Sequence, residues 1–429
     1  MRFIAHGGRL PGLALVIALQ IVGLAQERSI EDLNLVGSET AMPPFVESPI
    51  DINSEFRQAL FNKGLALRGL AQAGYSQNLL QAPVPAADQH YVGERAYESA
   101  MTNWTLTWDL RQLHIQHAQL YICGVWNWVS WNPAGPRALQ IYGAYLFKSF
   151  ADDRVEIKAG YIGNNLEVIG LTVGGSTATG AQGVYAVLPY ELGLSYFPMT
   201  APSVNVRLRG PRLTYLKALA QRSLDPLGGP QEVSRNHTGF RFAPRGDGLL
   251  VFGEAGYQRA ASASARDVWF RAGYMRNSTL RPDLATGKRA AGNSSVFALF
   301  DQQVRQPDPA HPSHGLYAGA TAMTAQSRFN PYDRYLEARL YQKAPFASRP
   351  NDMASLVASY TGHSRYLTGL LLSGGSTVWR NSASVTGSYS IRVCAGQYTS
   401  VGLSYVHGPA IAPRVNSALV FSTTYTVFI

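Results

Sequence analysis

Residues 416–429, NSALVFSTTYTVFI, constrain the fold more than any other stretch of this chain. Counted back in twos from the end, one set is Ile429, Val427, Tyr425, Thr423, Phe421 and Leu419, mostly apolar or aromatic. The interleaved set, Phe428, Thr426, Thr424, Ser422, Val420 and Ala418, is largely small or hydroxylated. Side chains that change face at every residue belong to a β-strand. A strand of about ten residues with one apolar and one polar face suits a transmembrane barrel. On this segment alone it also suits the last strand of a soluble β-sandwich.

The remainder of the chain separates these two readings. Its hydrophobic fraction is 46% and its mean hydropathy −0.08, so it is not a bundle of membrane helices. Tyr (23) and Gly (41) are abundant, and charged residues are 15%, against a globular norm of roughly 25%. Alternating segments separated by Gly, Pro, Asn and Asp clusters fall at 65–75, 103–110, 113–125, 139–147, 154–162, 192–197, 212–221 and 249–259. They continue at 268–277, 295–304, 315–324, 334–342, 353–360, 384–394 and 398–407, and end with the terminal strand. A soluble sandwich rarely needs so many long strands, and no fixed 40–50-residue period marks a propeller. The expected fold class is all-β, a transmembrane antiparallel β-barrel of about 16 strands, closed by pairing of the last strand with 65–75.

Residues 1–25 have the form of a signal peptide: Arg2 and Arg9, an apolar stretch over 11–24, and small Gly23 and Ala25 before Gln26. The apolar run is shorter than the roughly 18 residues a spanning helix needs. The expected organisation is therefore a signal peptide (1–25), an N-terminal periplasmic extension or plug-like segment (26–62) and an outer-membrane barrel (63–429). Without Arg2 and Arg9 the chain keeps 35 basic against 27 acidic residues, a net +8. That balance steers anions without specifying one, and with no dense Lys/Arg run, nucleic acid is not an expected partner. Cys123 and Cys394 each lie within an expected strand; free buried thiols are favoured over a disulfide. The Gly- and Thr-rich stretch 163–183 has no period and is read as a loop folding into the lumen.

If the aliphatic and aromatic sets face lipid, the opposite sets line the interior. Val251, Ala255 and Tyr257 outward send Glu254 and Gln258 inward; Phe270, Ala272 and Tyr274 outward send Trp269 and Arg271 inward. By the same parity Asp301 and Gln303 point in, as do Tyr335, Glu337, Arg339 and Tyr341. Lys217 shares a face with Tyr215 and Gln221, in a strand whose orientation the pattern leaves open. Planar polar groups hydrogen-bond hydroxyls, aromatic faces stack on the C–H face of a pyranose, and mixed charge avoids a single-sign ion filter. The bland reading of the same residues is a solvated interior tied by structural ion pairs.

Several blocks resemble the OprB-type carbohydrate-selective porin family. They are YLKALAQRSLDPLGG (215–229), GYQRAASASARDVWFRAGYMRNST (256–279), ALFDQQV (298–304), GLYAGATAM (315–323) and YLEARLYQKAPFASRPNDMASLVASY (335–360). LTWDLRQLHI (106–115) is similar to an early hairpin of that family, and residues 403–429 to its closing hairpin. The resemblance spans about 65–429. It implies a 16-stranded outer-membrane barrel passing glucose-type monosaccharides and small oligosaccharides by diffusion, often as a homotrimer, with no cofactor. Two features depart from the pattern: the chain ends in Ile429 where barrels commonly end in Phe, and NSASVTGSY (381–389) has no acid where the family carries Glu.

The competing functions are a barrel enzyme, such as a phospholipase or protease, and a surface adhesin without an open pore. A hydrolase needs a nucleophile, a base and an orienting group. The chain has no G-x-S-x-G; His114 and His117 would face opposite sides of a strand, and His311 and His314 sit in a Pro-rich loop without metal-ligand spacing. The expectation is a non-enzymatic, metal-free channel.

Overall fold

The computed structural model describes residues 29–50, 53–168, 187–243 and 247–429. The expected signal peptide and most of the 163–183 loop lie outside them.

Sixteen antiparallel strands form one closed barrel in which each strand pairs with its neighbours in sequence. They are β1 (Leu65–Asn78), β2 (Tyr97–Asp109), β3 (Ala118–Val129), β4 (Ala138–Phe150), β5 (Val155–Ile162), β6 (Ala201–Arg209), β7 (Thr214–Arg222) and β8 (Leu249–Arg259). The circuit continues with β9 (Val268–Asn277), β10 (Asn293–Arg305), β11 (Gly315–Ala325), β12 (Tyr332–Lys343), β13 (Met353–His363), β14 (Asn381–Cys394), β15 (Gln397–His407) and β16 (Ser417–Phe428). β1 and β16 close it over nine register pairs, from Leu70 with Phe428 to Asn78 with Val420, so the sheet has no free edge. Ile429 extends the seam: its N–H donates to the Gly69 carbonyl and its carbonyl accepts from Gly69 N–H, both at 2.8 Å.

An even strand count returns both chain ends to one end of the barrel. Connections there are short, such as residues 151–154 and 395–396, whereas those at the other end reach 38 residues (163–200). Short turns mark the periplasmic end and long loops the extracellular one. Outward-facing Leu139, Leu216, Phe270, Leu336 and Leu356 are exposed, as a surface bathed in lipid requires.

Two segments differ from the sequence reading. The stretch 192–197 is not a strand; with the short helix Leu188–Glu191 it folds into the extracellular half of the barrel. The inward side chains of β7–β12 there are apolar, including Leu219, Leu250, Phe252, Met275 and Phe297, and Leu188, Leu192 and Leu194 cover them in one core cluster. Burying each such side chain is worth about 1.5–3 kcal/mol, which explains an apolar loop inside a barrel. Gln221 Nε2 donates to the Gly193 carbonyl (3.1 Å) and Ser195 Oγ to that of Ile162 (2.8 Å), fixing the loop's backbone. The strand missing from that region is β6, whose start beside Pro198 and Pro202 and many polar residues hid its alternation.

The second difference is at 113–117. Residues 110–113 form a 3-10 turn, and His114 and His117 take left-handed conformations (φ 60° and 53°) in the turn before β3. Both cysteines are free; Cys123 is buried and Cys394, expected to be buried, is exposed.

Candidate functional site

Below the inserted loop, the barrel interior holds charged groups on β5–β9 and on β10–β12, an N-terminal strap, and a hydroxylated wall opposite. The charged wall follows from strand parity on β5–β9. Glu156, Arg207, Lys217, Glu254 and Gly273 are successive register partners across five strands. One step further down, Tyr215 and Arg271 flank Gly256, where an added Cβ would fall 2.4 Å from the Tyr215 ring; only glycine leaves that ring its place.

The charged and aromatic side chains of this wall bond to one another. Tyr215 Oη donates to Glu254 Oε1 (2.7 Å), Trp269 Nε1 donates to Tyr215 Oη (2.9 Å), and Arg207 donates to Gln258 Oε1 (2.9 Å). The Arg271 guanidinium lies 3.6 Å from the Trp269 ring centroid, a cation–π stack. Lys158 pairs with Glu167 at 2.7 Å. Buried charges survive only with such partners.

Residues 29–50, the strap, run along the inner wall from the periplasmic end. Leu33 and Asn34 offer their carbonyls to Thr107 Oγ1 (2.6 Å) and Gln119 Nε2 (2.8 Å). The closed barrel offers the strap no free edge to join, and Pro43, Pro44 and Pro49 interrupt its own extended segments. At its middle the N–H groups of Glu39 and Thr40 donate to the Leu166 carbonyl, so strap and extracellular loop meet inside the barrel. There the buried Glu39 carboxylate accepts hydrogen bonds from Lys217 Nζ and Arg271 Nη1, the latter at 3.4 Å. Nearer the periplasm, Glu47 accepts from Arg392 and from Tyr398 Oη (3.1 Å).

A second charged group sits on β10–β12. Arg339 clamps Asp301 with Nε (2.9 Å) and Nη2 (2.6 Å), and its Nη1 donates to Glu337 Oε1 (2.5 Å) and Thr321 Oγ1 (2.7 Å). The Tyr341 ring stacks on Tyr317 at 4.9 Å between centroids and donates to Asp301 (3.2 Å). Lys343 Nζ lies 4.7 Å from the Tyr317 ring.

Eight strands around the circuit from β6–β8, the inner face of β13–β16 and β1 carries no carboxylate. One register row reads Ser355, Ser388, Gly402, Ser422, Ser76. Its hydroxyls bond across strands: Ser355 with Ser388 (2.7 Å) and Ser76 with Ser422 (3.0 Å), and in the next row Thr386 with Ser404 (2.6 Å). A hydroxyl can donate to one partner and still accept from another. Ser388, Ser404 and Ser422 are half-buried and so keep a face toward the interior.

The ten residues singled out from sequence all lie on inner faces but divide by access. Lys217, Glu254, Arg271, Gln303, Arg339 and Tyr341 are buried. Gln303 spends its amide on the Pro312 and His314 carbonyls, anchoring the periplasmic turn 306–314. Gln258, Trp269, Asp301 and Glu337 are half-buried. Sequence reasoning missed Glu39, Glu47, Glu167 and Arg392. The strap has no period to reveal a face, and Glu39 meets Lys217 across 178 positions. Among the described residues no group of three or more His, Cys, Asp or Glu is placed to hold a metal.

The sequence model of the carbohydrate-selective porins, OprB family, matches residues 70–427. The chain belongs to this family. An OprB-family barrel is an outer-membrane carbohydrate porin, and the assignment accounts for a closed 16-strand barrel with a polar interior. The high-pH structure of Pseudomonas putida OprB is similar with a TM-score of 0.72 at 14% identity, over 87% of this chain and 96% of that one. The low-pH structure of the same protein gives 0.57 at 13% identity, over 89% and 98%. At these identities the likeness concerns the fold. No curated protein matches the chain.

Proposed function

We propose that this OprB-family porin passes neutral monosaccharides of the glucose type, and small oligosaccharides more slowly, along the hydroxyl wall of β13–β16 and β1, whose strands contribute no carboxylate. The supporting observation is the contrast between that wall and the mixed-charge, aromatic wall eight strands away. A sugar moving between them exchanges its water for hydroxyls that both donate and accept, and for the half-buried Trp269, Gln258, Asp301 and Glu337. Of the buried residues, Arg271 stacks on Trp269, Glu254 holds Tyr215 beneath the Trp269 indole N–H, and Arg339 and Tyr341 hold Asp301 and Glu337, while Lys217 anchors the strap and Gln303 the periplasmic turn. Passage is by diffusion with no catalytic step, the chain is exported by residues 1–25, and it assembles as a homotrimer, as the family resemblance implies.

Liposome swelling tests the reading. Proteoliposomes should swell fastest in glucose, more slowly in sucrose and scarcely in a larger oligosaccharide; swelling independent of solute size, or none, overturns it. Mass measurement in mild detergent tests the trimer separately, and a monomer mass removes that part alone.

A further inference from the structure

The outer face of β8–β13 carries a feature that sugar passage does not use. Ala272 faces Ala298, Ala298 faces Ala322, and Ala320, Ala338 and Ala358 are successive partners across β11–β13. Ala298, Ala320, Ala322, Ala338 and Ala358 floor a shallow apolar groove of about 540 Å³ walled by Phe270, Phe300, Leu336 and Tyr360. At its extracellular end two exposed arginines point outward. Arg276 on β9 opposes Ser294, and Arg334 on β12 opposes Thr324, so two strands separate them, a spacing of roughly 15 Å. Arg334 pairs with Asp333 at 3.0 Å and is still more than half exposed.

The loops above this sector repeat the sign. Connections 278–292, 326–331 and 364–380, which follow β9, β11 and β13, hold six Arg or Lys and one Asp. The extracellular connections of the other half, 79–96, 130–137, 163–200 and 223–248, hold five basic and seven acidic residues. Positive charge is thus concentrated above the groove.

We propose that this groove docks a phosphorylated, acylated glycolipid of the outer leaflet, with one acyl chain on the alanine floor and phosphates at Arg276 and Arg334. Removing side chains from a strip of sheet lets a chain lie close to the backbone, and the aromatic and leucine walls keep it in line. Guanidinium groups bind phosphate through paired N–H donors, and basic residues at the head-group level attract anionic lipid. A disaccharide phosphorylated at both ends suits two arginines a few strands apart better than a single-phosphate lipid does. The site lies on the lipid face and is independent of which sugar crosses the lumen.

Native mass spectrometry of the intact barrel, incubated in turn with bisphosphorylated lipid A, its dephosphorylated form and phosphatidylglycerol, tests the assignment. The wild type should retain lipid A roughly tenfold or more over the dephosphorylated form. R276Q/R334Q should lose that preference, and A320F, which fills the groove, should weaken retention without changing sugar flux. Equal retention of all three lipids by the wild type overturns the site. Retention of phosphatidylglycerol equal to that of lipid A overturns the glycolipid assignment, and undiminished preference in R276Q/R334Q removes the arginines from it.

Discussion

The Glu47 carboxylate accepts hydrogen bonds from Arg392 Nε at 2.7 Å and Nη2 at 3.1 Å, joining the strap to β14 across 345 positions of sequence. Together with Glu39 on Lys217 and Arg271 it fixes the strap inside the barrel at two points. Glu39→Ala leaves two buried cations without their carboxylate and should cost roughly 3–5 kcal/mol in urea unfolding of the refolded barrel. Glu47→Gln, nearer the periplasmic mouth, should cost about 1.5–3 kcal/mol. Deletion of residues 26–50 should raise single-channel conductance, because the strap takes up lumen cross-section; unchanged conductance would place the strap outside the conducting path.

The clamp of Arg339 on Asp301 and Glu337 gives a second expectation. Arg339→Ala strands both acids beside the lumen and should destabilise the barrel by roughly 3–5 kcal/mol, with Arg339→Lys intermediate because it loses the planar fork. Asp301→Asn and Glu337→Gln each remove a lumen-side negative charge, so reversal potentials in a salt gradient should shift toward anions. No shift in either would show that these carboxylates do not face the permeating ions.

The hydroxyl wall should matter to sugars more than to salt. The triple variant Ser388→Ala, Ser404→Ala, Ser422→Ala removes three interior hydroxyls and loosens three cross-strand hydrogen bonds worth about 1 kcal/mol each. Glucose swelling rates should fall while potassium chloride conductance stays near that of the wild type. A parallel fall in both would mean the wall sets pore width and not sugar affinity.

One extracellular contact has a defined pH signature. Asp283 in the 278–292 connection accepts from Arg328 in the next loop; that hydrogen bond, with others from Ala285 N–H and Thr286, holds its carboxyl down at about 2. A lowered carboxylate stabilises the clasp above its ordinary titration range and loses that contribution as pH falls toward 2. Loop proteolysis should therefore be unchanged from pH 7 to about 4 and rise only in stronger acid. Asp283→Asn should show the acid-level cleavage already at neutral pH.

Much of the barrel was legible because lipid on one side and water on the other impose a period of two on each strand. Leu336, Ala338 and Leu340 against Glu337 and Arg339 is such a case. The pattern failed where the interior is itself dry. Leu192 and Leu194 alternate with Gly193 and Ser195 as a strand would, yet they cap the apolar core over Phe252 and Met275. Parity placed Arg271 and Lys217 on one face and left structural ion pairs open, but it could not name Glu39 of the strap as their partner. Contacts between an aperiodic segment and a wall nearly two hundred residues away leave no local trace. The small hydroxylated face of the last strand was visible, but its continuation over β13–β15 and β1 needed the register.

Single-channel recording in planar bilayers with glucose titration tests the central claim, a sugar-conducting lumen, most directly. The account predicts discrete conductance steps whose current falls saturably as glucose occupies the lumen. An absence of steps, or a current that tracks only the bulk conductivity of the sugar solution, would contradict it.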